Sequence, residues 1–168
     1  MDFEKIHLIT CNFFDNSKLL NIDYIDSGLI NKTYIIEHLI NGKKSKFVLQ
    51  CLSNIFESYE QVNINHLFIT DHINNKIKKN YSNSYNQRWE APCLIKCNSN
   101  NLFVFPYYSD FWRAMEYIDE TLSFDVLEDK KWLIKQVLVL VSFIEYAPTL
   151  TLQKLKIQLK IFIIQSNI

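Results

Sequence analysis

The sequence predicts an α+β fold in which an antiparallel sheet of about five strands is crossed by one helix. Three observations support this prediction. Polar and apolar residues alternate from Asn21 onward, as in half-buried strands. Asn41 and Gly42 form the dipeptide that is typical of a tight hairpin turn. Residues 55–79 repeat apolar side chains near the helical period.

The predicted elements follow one another as helix, three strands, helix, and two or three more strands. The first helix falls within residues 3–20, where Asn16 and Ser17 act as a stop signal. The first strand starts at Asn21, the second covers 33–40 and the third covers 46–52. The later strand candidates are "CLIKC", "NLFVF" and "FWRAMEYI". A polar loop precedes these candidates, and the pattern turns helical again from residue 119.

Composition favours a globular chain without an electrostatic preference for a polyanion. Hydrophobic residues make up 48% and aromatic residues 14%, which argues against disorder. Lysine plus arginine equal aspartate plus glutamate, 18 against 18, so neither nucleic acid nor an anionic membrane is an expected partner. The start has no basic segment before a long apolar run, and the apolar run at 137–147 is too short to span a bilayer. We therefore expect a cytoplasmic protein.

The cysteines and histidines do not have the spacing of a metal site. No CxxC pair occurs among the four cysteines, which we expect to be reduced thiols: Cys11, Cys51, Cys93 and Cys97. His66 and His72 are six residues apart, whereas ligands on one helical face are three or four apart. We predict no metal site from these residues.

A glycine turn separates the first two predicted strands. The segment "SGLINKT" places Gly28, one of two glycines in the chain, before Asn31 and Thr33. Glycine lets the backbone approach an anion, so such a hairpin can hold phosphate through its N–H groups. An ordinary hairpin turn is the alternative interpretation of this segment alone.

Three segments together resemble one family. "GLINKTYII" resembles the nucleotide-binding hairpin of the aminoglycoside phosphotransferase and choline kinase superfamily, which has a protein-kinase-like fold. "KFVLQCLSNIFES" is similar to the third strand and the following segment of the N-acetylhexosamine 1-kinase-like branch. "FWRAMEYIDETLSFD" resembles the strand of that branch that enters the hinge. The matches occur in the expected order and cover about residues 20–130.

The resemblance implies a nucleotide-binding N-terminal lobe at 1–118 and a hinge with the start of a second lobe at 119–136. ATP and Mg²⁺ are the implied cofactors, and the γ-phosphate would go to a hydroxyl of a sugar or aminoglycoside-like molecule. Backbone groups near residues 115–118 would bind adenine. The implied nucleotide-binding residues are Gly28, Leu29, Ile30, Asn31, Lys32, Thr33, Gln50, Met115, Glu116, Tyr117 and Ile118.

One informative position departs from the wider superfamily. Kinase-like folds place a lysine on the third strand, where it contacts the phosphates and pairs with a helix glutamate. The corresponding residue here is Gln50, which can donate a hydrogen bond but carries no charge. Magnesium and backbone groups would then neutralise more of the phosphate charge. Lys32 and Lys46 are candidates for additional neutralisation of the phosphate charge, although we expect both to be solvated strand lysines.

The remaining candidate side chains have simpler expected roles. Glu57 and Glu60 lack a lysine partner, so we place them on the surface. We expect Trp112 in the core, as is usual for a large aromatic residue on a strand, and Arg113 in a surface pair.

The catalytic part of the family is not apparent in this chain. The family has a His-Gly-Asp type loop and a magnesium-binding aspartate in its second lobe, whereas residues 119–168 contain no histidine and no aspartate beyond Asp129. We therefore expect an inactive, truncated lobe. The alternatives are a non-catalytic interaction module that keeps the lobe as a scaffold, and a kinase completed by a separate chain.

The tail at 137–168 is anomalous in composition, and a frameshift near residue 136 is our hypothesis for it. With AT-rich codons, the tail can be read in another frame as a segment similar to the family. A downstream reading frame without a His-Gly-Asp region would contradict this hypothesis.

Overall fold

The computed structural model describes residues 2–26, 30–80, 90–122 and 165–166. Their helices are α1 (Phe3–Phe13) and α2 (Tyr59–Asn80). Their strands are β1 (Lys18–Ile25), β2 (Lys32–Ile40), β3 (Lys43–Leu52), β4 (Leu94–Ile95), β5 (Phe105–Tyr107), β6 (Asp110–Glu116), β7 (Thr121–Leu122) and β8 (Gln165–Ser166). The prediction of an α+β class with an antiparallel sheet is confirmed.

The main sheet has six strands, in the order β1-β2-β3-β6-β4, with β5 also paired to β6. All of these pairings are antiparallel. The β2–β3 connection is the predicted tight turn: Ile40 pairs with Lys43, and Asn41 and Gly42 have φ values of 51° and 79°. Helix α2 then connects β3 to the far side of β6, so strands distant in sequence become neighbours.

Helix α1 covers one face of this sheet. Ile6, Ile9 and Phe13 are buried on the helix, at the spacing of one helical face. The core that they join contains Leu19, Ile36, Phe47, Leu49, Cys51, Cys97, Trp112 and Ala114. Burial of a large apolar side chain contributes about 1.5–3 kcal/mol, so this cluster is the main source of sheet stability.

Helix α2 contacts the residues on the opposite face. Ser58 caps its N-terminus, since the Ser58 hydroxyl accepts a hydrogen bond from Gln61 N at 3.1 Å. The Tyr59 ring stacks on Phe111 with 4.1 Å between centroids, and one turn later Asn63 contacts Arg113. This face therefore combines an aromatic contact with a polar centre.

The chain divides into two compact units. The first contains Met1–Thr70 and Pro92–Tyr117, and therefore α1 and the six-stranded sheet. The second contains Asp71–Ala91 and Ile118–Ile168, and its described part includes the antiparallel β7–β8 pair. In the part of the chain that the structure describes, no helix is both long and apolar enough to cross a membrane.

Two boundaries near the start of the sheet differ from the prediction. Helix α1 ends at Phe13, and β1 begins at Lys18, three residues before the predicted Asn21. Asn16 adopts a φ of 57°, so the reversal is complete within a few residues and the strand starts at once.

Two later elements also differ. Most of "NLFVF" is a turn, because the Asn100 side chain accepts from Leu102 N and donates to the Val104 carbonyl; strand β5 starts only at Phe105. Thr121 and Leu122 form a strand where a helix was predicted, and Glu120 has a φ of 59°, which interrupts helical geometry. Residues 123–136 and nearly all of the predicted tail lie outside the described residues.

Candidate functional site

A line of polar side chains crosses the three central strands. Thr33 on β2 pairs with Gln50 on β3, and Gln50 pairs with Arg113 on β6. Directly opposed residues point to the same face of a sheet. Their neighbours Leu49 and Trp112 belong to the α1 core, so these three side chains lie on the opposite face, where Asn63 of α2 meets them. We call Thr33, Gln50, Arg113 and Asn63 the polar row.

Hydrogen bonds fix the orientation of each member of the polar row. Gln50 Nε2 donates to Thr33 Oγ1 at 3.0 Å. Arg113 Nε and Nη2 both donate to Gln50 Oε1, at 3.1 and 2.8 Å, and Arg113 Nη1 donates to Asn63 Oδ1 at 3.3 Å. The Gln50 amide therefore holds the guanidinium in place and connects it to β2.

Arg113 is a buried cation held by neutral groups. Its exposed fraction is 8%, so the expected surface pair is wrong. The hydrogen bonds that it makes within the described residues end on amide oxygens, which carry no net charge. Burial lowers the pKa of Arg113 to about 10, whereas a carboxylate partner would raise it. Sequence alternation placed Arg113 away from the core face, but it could not show that α2 covers the other face.

The polar row has more donors than acceptors. A guanidinium carries five N–H groups, and the contacts described above engage three nitrogen atoms with one bond each. Asn63 is 4% exposed, and its Nδ2 has no hydrogen-bond partner within the described residues. The site is therefore positively charged, rich in N–H groups and short of acceptors.

The pKa of His66, one turn after Asn63 on α2, is affected by the charge of Arg113. His66 Nε2 lies 2.8 Å from the Pro92 carbonyl, which can only accept, so Nε2 carries the hydrogen. Burial lowers the pKa of His66, the bond to Pro92 opposes this, and the Arg113 charge lowers the pKa further.

The predicted phosphate-binding loop ends beside the polar row. Asn31 Oδ1 accepts a hydrogen bond from Ser53 N at 3.0 Å, which ties the end of the β1–β2 loop to the segment after β3. Ile30 is half-buried. Lys32 is exposed and pairs with Cys51, so it lies on the α1 face rather than with Thr33. Gly28 and Leu29 lie outside the described residues.

The predicted adenine-binding segment begins on the same face. Met115 follows Arg113 by two strand residues, or about 7 Å, and its pairing partners are Val48 and Leu94. Glu116 pairs with Phe47, which is on the α1 face. The Glu116 N–H already donates to the Cys93 carbonyl at 2.9 Å, which removes one backbone donor that adenine could use.

Tyr117 and Ile118, the last two residues of the predicted nucleotide-binding set, contact other residues of the chain. Lys46 Nζ lies 5.6 Å from the centroid of the Tyr117 ring, and Tyr117 is half-buried. The Ile118 carbonyl accepts a hydrogen bond from Thr121 Oγ1 at 3.1 Å within the second compact unit. The structure thus brings Thr33, Gln50 and Met115 onto one face of the first unit.

Sequence reasoning missed Arg113 and Asn63 as site residues. A charged residue between Trp112 and Ala114 in an apolar strand was an available signal, but its meaning depends on the β3–β6 register. Asn63 follows Tyr59 by four residues, which places both on the sheet-facing side of α2. That side could not be identified before the sheet topology was known.

Several simpler expectations are confirmed. Glu57, Glu60 and Lys46 are exposed, and Trp112 is buried in the core. The four cysteines are free thiols. The expectation that there is no metal site stays a prediction, and among the described residues no group of three His, Cys, Asp or Glu side chains is placed to hold a metal ion.

The chain matches no protein-family model, and no curated protein matches it. The family resemblance therefore rests on the three sequence segments described above.

Proposed function

We propose that this chain is the ATP-binding lobe of a small-molecule kinase and that it does not catalyse phosphoryl transfer by itself. In the full reaction of such a kinase, the γ-phosphate of magnesium-bound ATP passes to a hydroxyl group, of a sugar or an aminoglycoside-like molecule in this case. The proposal concerns binding of the nucleotide by residues 1–118.

One observation carries the proposal. Residues that the resemblance selects from three distant segments, namely Thr33, Gln50 and Met115, lie on one face of β2, β3 and β6. Asn31 joins the loop that precedes β2 to the end of β3 next to this face. A phosphate-binding end and an adenine-binding end would be a few strand residues apart, which suits a ligand with both groups.

The residues present also fit the charge of the ligand. The polar row presents N–H donors and one buried positive charge, and the triphosphate supplies acceptor oxygens and negative charge. Bound Mg²⁺ would neutralise phosphate charge and orient the γ-phosphate. No catalytic base is assigned among the described residues, and phosphoryl transfer needs a positioned group for the attacking hydroxyl.

Titration calorimetry with Mg-ATP tests this function. We expect weak but measurable binding by the wild-type chain. Asn31→Ala should weaken it, because the loop that leads into β2 loses its attachment to Ser53. Asn21→Ala is the matched control, since Asn21 is an exposed asparagine on β1, and this variant should bind as wild type does. A folded wild-type chain that gives no heat above the buffer control would rule out nucleotide binding.

An interaction module is the second candidate, and an exposed apolar pair favours it. Ile64 and Phe68 lie one turn apart on α2 and are 56% and 41% exposed. This candidate requires a stably folded chain that does not bind Mg-ATP, so the same calorimetry separates it from the kinase lobe.

A further inference from the structure

Among the described residues, no carboxylate forms an ion pair with Arg113, although its side chain is buried. A buried ion destabilises the folded state unless a charge or a set of hydrogen bonds compensates it. Gln50 and Asn63 supply hydrogen bonds but no negative charge. Arg113 and Asn63 are both more than nine-tenths buried, at 8% and 4% exposed, so both would meet an anion away from bulk water.

The unused donors lie together. The nitrogen atoms of Arg113 have N–H groups beyond the three bonds that they make, and Asn63 Nδ2 is buried without a partner in the described part of the chain. A buried donor without an acceptor destabilises the folded state. An oxyanion would satisfy both groups and compensate the charge.

We propose that Arg113 and Asn63 form a binding site for one oxyanion group, which in the nucleotide complex is a phosphate of ATP. The assignment to ATP rests on the proposed function, whereas the oxyanion site does not. Arg113 on β6 would then supply the charge that Gln50 cannot supply from β3. Gln50 is a positioning residue in this arrangement, because its carbonyl oxygen accepts from both Nε and Nη2 and so sets the plane of the guanidinium.

Pyrophosphate is the probe for the oxyanion site. At constant ionic strength, it should raise the melting temperature of the wild-type chain, because a ligand that binds only the folded state stabilises it. Asn63→Asp should abolish this rise. The new carboxylate would lie at ion-pair distance from Arg113 Nη1, where the Asn63 oxygen now lies 3.3 Å away, so the variant keeps its contact and repels the anion.

Asn75→Asp is the matched control, since it adds the same charge at an exposed position of the same helix. Its response to pyrophosphate should equal that of the wild type. The inference is overturned if pyrophosphate leaves the wild-type melting temperature unchanged, or if folded Asn63→Asp responds as the wild type does. Arg113→Lys gives a second test: loss of the charge-assisted fork should weaken binding about 10- to 100-fold.

Adenosine and ATP separate this site from the proposed function. If Mg-ATP binds the wild type more tightly than adenosine does, and Asn63→Asp removes the difference, both proposals hold. If pyrophosphate binds the wild type but adenosine does not bind, and Mg-ATP binds no more tightly than pyrophosphate, the oxyanion site holds and the nucleotide function fails. If the wild type and Asn63→Asp each bind Mg-ATP and adenosine with equal affinity, nucleotide binding holds and the oxyanion site is overturned.

Discussion

His38 and Arg113 are both buried polar residues, but their surroundings differ. His38 is 1% exposed, and its ring nitrogens contact two hydroxyl oxygens, Ser17 Oγ at 2.9 Å and Ser45 Oγ at 2.8 Å. A hydroxyl can donate or accept, so either neutral tautomer is satisfied. Phe14 and Phe47 lie against the ring, with centroids 4.6 and 4.9 Å away. His38 is therefore complete without a ligand, whereas Arg113 is not.

The same burial makes the protein sensitive to acid through His38. Burial lowers the pKa of His38 below its ordinary value, so the unfolded chain takes up a proton first as the pH falls. The contribution of neutral His38 to the free energy of unfolding is fully present above about pH 6.5, the ordinary pKa of histidine. It is lost as the pH falls through the lower pKa of His38 in the folded state. We expect the free energy of unfolding to decrease over this window.

Urea unfolding between pH 8 and pH 5 measures this effect. His38→Gln keeps a group that can hydrogen-bond to a serine hydroxyl but does not titrate, so its stability should vary less with pH than that of the wild type. His66→Gln is a parallel variant, because burial also lowers the pKa of His66. Identical pH dependence in the wild type and His38→Gln would show that His38 does not contribute.

At the scale of elements, the turn of the β2–β3 hairpin depends on the backbone conformation of Asn41 and Gly42. Gly42 has a φ of 79°, and a Cβ at this position would meet nothing within 4 Å. Gly42→Ala therefore introduces backbone strain without a clash, and we expect a loss of about 1–2 kcal/mol in the free energy of unfolding. Chemical denaturation gives this value directly.

Asn41→Gly is the control for the hairpin. Asn41 also has a positive φ, of 51°, which glycine adopts without strain, so this variant should stay close to wild type. If Gly42→Ala is as stable as Asn41→Gly, then the turn tolerates a side chain and our account of it is wrong.

The elements also show what sequence patterns can and cannot specify. The β2–β3 hairpin was predictable because Asn41 and Gly42 carry the turn geometry locally. The β3–β6 register was not predictable, since residues 53–109 separate the two strands in sequence and pairing between distant strands has no local signal. For the same reason Thr33 and Gln50 were identified from their motifs, whereas Arg113 and Asn63 became apparent only from the fold.

For the molecule as a whole, the main core lies in the first compact unit. The residues of the core cluster all fall between Ile6 and Ala114, and the six-stranded sheet ends at Glu116. A chain that ends at Leu122 should therefore unfold cooperatively on heating, with Trp112 in an apolar environment. Circular dichroism and tryptophan fluorescence measure both properties.

Ile36→Asp in the shortened chain is the control for this prediction. Ile36 is fully buried, and an unpaired carboxylate at its position should prevent folding. If the shortened chain has the same spectra as this variant, then the first unit needs residues beyond Leu122 to fold.

The central position of β6 has a consequence for the order of folding. Strands β1, β2 and β3 are joined by local hairpins, whereas β6 reaches β3 only after the chain between Leu52 and Phe111 has closed into a large loop. Closure of a long loop is entropically costly, and non-local pairing is slow compared with hairpin formation. The polar row includes Arg113, so it cannot exist until β6 has docked. Ligand binding at this row would therefore act only on molecules that have completed the slowest strand pairing, and would select them from partly folded ones.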